Sequence, residues 1–148
     1  MRRYRYSRSQ TQVRVQKAKS IFIKENRYLL RHDLNERTIS HKFAEALQDQ
    51  FPGWHVDCEY NRRGEKAKRQ GGQLVRPDII IHHRGVPENL LCIEAKKEGE
   101  SLDDDKIKLK NFTEPLGDDR YQFGLLLVLS LKAPYKITCE WFLDGNAI

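Results

Sequence analysis

The stretch "YQFGLLLVLS", Tyr121 to Ser130, places the tightest constraint on how this chain folds. Successive side chains of a strand point to opposite faces, and here both sets are apolar. Phe123, Leu125, Leu127 and Leu129 form one set, and Leu126 and Val128 the other. A strand of this kind is buried on both sides, so its sheet must be covered by helices above and below.

The remaining segments supply that cover and the neighbouring strands. In "DLNERTISHKFAEALQDQFPG", Ile39, Phe43, Leu47 and Phe51 recur every four residues, and Pro52-Gly53 ends the run. This predicts an amphipathic helix capped by Asn35 or Asp33. A less regular helix is expected from about Val13 to Leu30. "WHVDCEY" alternates, with Trp54, Val56, Cys58 and Tyr60 on one side, as a half-buried strand does. Leu74–His82 and Leu90–Lys96 read as two strands joined through Gly85-Val86-Pro87. "SLDDDKIKLKNFTE" reads as a helix capped by Ser101 or an aspartate, and "YKITCEWFL" as a final edge-like strand. The predicted fold class is α/β, a central mixed sheet of about four to five strands flanked by helices. One domain, 32–148, is expected, preceded by a basic segment, 1–31, with an arm over residues 1–10 and a helix behind it.

Charge is concentrated rather than spread. Residues 1–31 hold ten Lys and Arg against Glu25 alone, a net +9 in a chain of net +6, so the remainder is mildly acidic. Within that remainder the polar loop expected over Asn61–Gly72 carries Arg62, Arg63, Lys66, Lys68 and Arg69. Two positive segments on an acidic body predict a polyanionic partner. No apolar run approaches the ~20 residues that cross a bilayer, and no apolar core follows the basic N-terminus as in a secretory signal. Three scattered cysteines, Cys58, Cys92 and Cys139, form no CxxC and read as reduced thiols of a cytoplasmic protein.

The hairpin carries the chemistry. Glu94 and Lys96 share one face of their strand while Ile93 and Ala95 take the other, and Asp78 lies near the start of the partner strand. Two carboxylates ~4 Å apart repel by ~4 kcal/mol at an effective dielectric of ~20, so a hard cation such as Mg²⁺, or Mn²⁺ next, is expected between them. The competing reading is an ion pair of Lys96 with either acid at the sheet margin.

Arg76-Pro77-Asp78, fifteen residues, then Glu94-Ala95-Lys96 resembles the signature of the PD-(D/E)XK nuclease superfamily, whose fold is restriction-endonuclease-like. The order of expected elements from about Glu36 to Leu131 is similar to that family's common core. The resemblance implies a Mg²⁺-dependent phosphodiester hydrolase acting on DNA, with RNA as an open alternative substrate. It implies Asp78 and Glu94 as metal ligands, the Ala95 carbonyl as a further ligand, and Lys96 assisting the attacking water. It also implies an acid from the first core helix. Glu36 heads the buried stripe, whereas Glu45 turns toward solvent, so Glu36 is expected to join the site and Glu45 is second choice. The basic loop and arm then become DNA contacts, with Tyr4 and Tyr6 placed to stack on bases. Homodimers are common in such families. The alternative is a catalytically inactive nuclease-fold module or subunit that binds DNA. His41, His82, the acids Asp103–Asp105, and Lys106, Lys108 and Lys110 are given no assigned part, three acids at a helix start being read as complements to its dipole.

Overall fold

The computed structural model describes residues 6–32, 35–58, 68–70, 73–117, 120–130 and 132–148. The chain runs α1 (Arg8–Glu25), α2 (Arg27–Arg31), α3 (Glu36–Gln50), β1 (His55–Cys58), β2 (Lys68–Gln70) and β3 (Gln73–Val75). It continues with β4 (Ile79–His83), β5 (Glu88–Lys97), α4 (Asp103–Phe112), β6 (Phe123–Leu129), β7 (Ile137–Leu143) and β8 (Asn146–Ala147). Six strands form one mixed sheet in the order β1-β4-β5-β6-β7-β8, slightly wider than expected. Only β5 and β6 are parallel, with α4 in the crossover between them.

β6 occupies the interior position its composition demands. Phe123, Leu125, Leu127 and Leu129 join a core with Val15, Ala18 and Phe22 of α1 and Phe43 and Leu47 of α3. Leu126 faces the opposite side and packs with Leu109 and Phe112 of α4, Ile80 and Phe142. Gly124 allows a close approach there: a Cβ would stand 3.2 Å from Thr113 Cγ2 and 3.3 Å from Leu109 Cδ2, so a larger residue needs those side chains to give by a few tenths of an ångström.

Several boundaries differ from expectation, each for a local reason. Arg8–Gln10, expected within an arm, form the first turn of α1, capped by Ser7, whose hydroxyl accepts from the Gln10 N–H at 3.1 Å. Tyr6 is buried, edge-on to Phe51 and under the Arg14 guanidinium at 4.2 Å, so it has no face free to stack on a base. α1 contributes to the same core as α3. The single helix expected to Leu30 is two, because the Asn26 amide donates to the Phe22 carbonyl at 2.8 Å and ends α1. The strand expected over Leu74–His82 is split. Pro77 lacks the donor a ladder needs and restricts Arg76, so β4 starts at Ile79 while β3 pairs separately with β2. Part of the stretch expected as loop is therefore the strand β2. Leu102, not Ser101 or an aspartate, holds the N-cap position of α4 and makes no side-chain cap. Asn35 caps α3, accepting from the Thr38 N–H at 2.9 Å; Asp33, Tyr4 and Tyr60 lie outside the described residues. The three cysteines are not joined in disulfides, and no helix among the described residues is long and apolar enough to cross a membrane.

Candidate active site

β4 pairing ends at Ile79 opposite Ile93, which leaves the next donor of β5 free for a side chain. Asp78 takes it: its Oδ2 accepts from the Ala95 N–H at 2.8 Å. That bond fixes the Asp78 carboxylate beside Glu94, while Ile93 and Ala95 turn into the core beneath α1 and α3. Glu94 is 2% exposed, on the opposite face from Ala95. Its carboxyl shares a hydrogen bond with Asp78, yet its Oε1 is buried with no hydrogen-bond partner among the described residues. Burial first, and the Asp78 charge second, push Glu94 well above the usual carboxylate range.

Lys96 lies one step further along β5, where two helix starts converge. Its Nζ is 4.0 Å from Glu36 Oε2 at the head of α3 and 3.7 Å from Asp105 Oδ2 in the first turn of α4. Burial alone would lower its pKa; Asp105, Glu36, Glu100 and Asp78 together outweigh that and raise it. Burial also raises Asp105 against the pull of Lys96 and Lys108. Glu36 is pushed up to about 7 by burial and by its hydrogen bond with the Glu100 carboxyl. That same bond lowers Glu100, which also accepts from the Lys97 N–H at 3.3 Å.

All four expected residues, Glu36, Asp78, Glu94 and Lys96, therefore meet at one end of the sheet. Glu45 stands apart, exposed and paired with His41 at 3.1 Å. His82 is a packed histidine tied to Asp57 at 2.7 Å. Of the basic loop, Arg62, Arg63 and Lys66 lie outside the described residues; Lys68 and Arg69 are on β2.

Asp105 is the residue sequence reasoning missed. Read as one of three dipole-complementing acids, it is in fact 3% exposed and aimed at Lys96. The signal was its place in the buried stripe Asp105, Leu109, Phe112, spaced as one helix face. Lys108 was also left unassigned, and its charge acts on both Glu94 and Asp105.

Among the described residues no group of three or more His, Cys, Asp or Glu side chains stands in position to hold a metal ion. The donor chemistry nevertheless fits a hard cation: two adjacent carboxyls, one with an orphaned buried oxygen, in an all-oxygen set. Comparison with known protein families, curated proteins and solved structures gives no match for this chain.

Proposed function

We propose that the chain is a Mg²⁺-dependent nuclease hydrolysing phosphodiester bonds of DNA, with Mn²⁺ as a substitute ion. The observation that carries this reading is Glu94: a buried carboxyl beside Asp78, with one oxygen lacking any hydrogen-bond partner among the described residues. Burying an acid this way is costly unless a cation completes it, and protein interiors do not keep such groups without cause. Asp78 and Glu94 would hold the ion, with the Ala95 carbonyl as a further ligand and Glu36 supporting it directly or through water. When bound, Mg²⁺ supplies Lewis-acid polarisation of the phosphate and a more acidic water.

The chain's own side chains do the rest. Lys96, held between Glu36 and Asp105, orients the attacking water or meets charge that builds on the phosphoryl oxygens. The Ala95 N–H keeps Asp78 in register with the site. Arg62, Arg63, Lys66, Lys68 and Arg69 contribute phosphate contacts that add affinity without reading sequence.

The test is nicking of supercoiled plasmid in Mg²⁺ or Mn²⁺. Glu94→Ala and Lys96→Ala should each lower the rate about 10²- to 10³-fold. Nicking that survives both substitutions contradicts the proposal. A second reading, a DNA-binding module without catalysis, draws on the pairing of Lys96 with two acids, which a purely structural ion pair shares. It predicts salt-sensitive DNA binding with no cleavage in either metal.

A further inference from the structure

The outer face of α1 and α2 is more one-sidedly basic than α3 or α4, both of which carry acids in their first turn. Residues 6–32 carry seven Lys and Arg, and Glu25 is their sole acid. Two of the seven are committed to structure: Arg14 donates to the Gln50 carbonyl at 2.8 Å and covers Tyr6, and Lys19 lies against the Cys139 thiol. Lys17 and Lys24 are exposed and one stripe apart, ~10 Å along the helix, on the side opposite buried Val15, Ala18 and Phe22. Arg27 and Arg31 follow, also exposed, on α2.

Between those arginines sits an unexpected side chain. Tyr28 is 71% exposed, its ring 4.3 Å from that of His32, while its neighbour Leu30 anchors α2 in the core. A large aromatic left in solvent among cations is the composition that holds unpaired bases: cations track phosphates, and the ring offers a stacking face. The ridge faces away from the site, but its Lys24 end lies toward the start of α3, where Glu36 stands. α1 and α3 are antiparallel, since Arg14 meets the end of α3 whereas Phe22 lines the same small apolar cavity as Glu36, Lys96 and Ala95.

We propose that this ridge binds a single-stranded stretch of the DNA, with Lys17, Lys24, Arg27 and Arg31 on phosphates and Tyr28 stacked on a base. The inference rests on the reading of DNA as substrate and names its form: a molecule that carries an unpaired stretch. The two stand or fall separately when binding is measured in EDTA, where metal-dependent cutting is suppressed.

Fluorescence anisotropy with a labelled single-stranded oligonucleotide and its duplex tests the ridge. The single strand should bind more tightly than the duplex. Tyr28→Ala should weaken single-strand binding roughly 5- to 100-fold, and Tyr28→Phe should restore it. Replacing Lys17, Lys24, Arg27 and Arg31 with Gln should lower the slope of log affinity against log salt by about 3. All five positions are solvent-facing, and unchanged circular dichroism checks that the variants fold. Wild-type affinity in Tyr28→Ala, or an unchanged salt slope in the fourfold variant, overturns the proposal. Normal nicking of duplex with no preference for the single strand would sink the ridge and spare the nuclease; ridge binding without nicking would do the reverse.

Discussion

Two charged clusters occupy the same sheet and solve the burial of acids in opposite ways. At the β1–β4 edge, Asp57 Oδ2 accepts from His82 Nε2 at 2.7 Å and from Arg84 Nε at 2.9 Å, while its Oδ1 meets Arg84 Nη2. Burial would raise Asp57, but the bonds to Arg84 and His82 prevail and its pKa falls. At the far end of β5 the balance is reversed. Glu36, Asp78, Glu94 and Asp105 gather around Lys96, with Lys108 nearby, and Glu36, Glu94 and Asp105 are all pushed up. The first cluster is complete as it stands and ties β1 to β4. The second is short of positive charge, as expected of a site awaiting a ligand.

Substitutions should separate the two. The largest effect is expected at Glu94→Gln, an isosteric change that removes the group's capacity to ionise. Plasmid nicking should drop by about 10²-fold or more, while stability in denaturant at neutral pH rises by about 1–2 kcal/mol because the folded chain no longer holds a proton that the unfolded chain releases. Asp57→Asn should do the opposite. It should cost about 1–3 kcal/mol in the same denaturation experiment, since Arg84 loses its counter-ion and one of the two accepting oxygens becomes an NH2 donor, and the nicking rate per folded molecule should hold. If both substitutions shift stability in the same direction, the contrast between the clusters is broken.

The smallest effect is a pH dependence. Glu36 keeps a proton in the folded chain up to about 7 that the unfolded chain releases near 4.5. More protons bound when folded means that stability falls as pH rises through this window. Asp57, whose pKa is lowered, works the other way: its contribution is present above 3.8 and is lost as pH falls further. In metal-free buffer, wild type minus Glu36→Gln should therefore show a stability difference that declines between about 4.5 and 7. A flat difference would remove Glu36 from the proton-sharing group.

Much of this was legible where the physics is local. The double apolar set of β6 required cover on both faces, and α1, α3 and α4 provide it. Two-residue periodicity put Glu94 and Lys96 opposite Ala95, and the α3 stripe put Glu36 rather than Glu45 inward. What stayed hidden depends on contacts between distant segments. Asp105 reaches Lys96 only because the β5–α4–β6 crossover lays the start of α4 beside the end of β5, and no short-range pattern fixes that. The β2–β3 pairing was masked by polar, glycine-bearing sequence, although Pro77 itself marked the break before β4. The Asn26 break was masked by apolar residues continuing on both sides.

Titration calorimetry of Mg²⁺, and separately Mn²⁺, into the wild-type protein and Glu94→Gln bears most directly on whether the acid pair is built for a cation. Divalent binding by the wild type that disappears in Glu94→Gln is the predicted outcome. No binding by the wild type, or equal binding by both proteins, would contradict it.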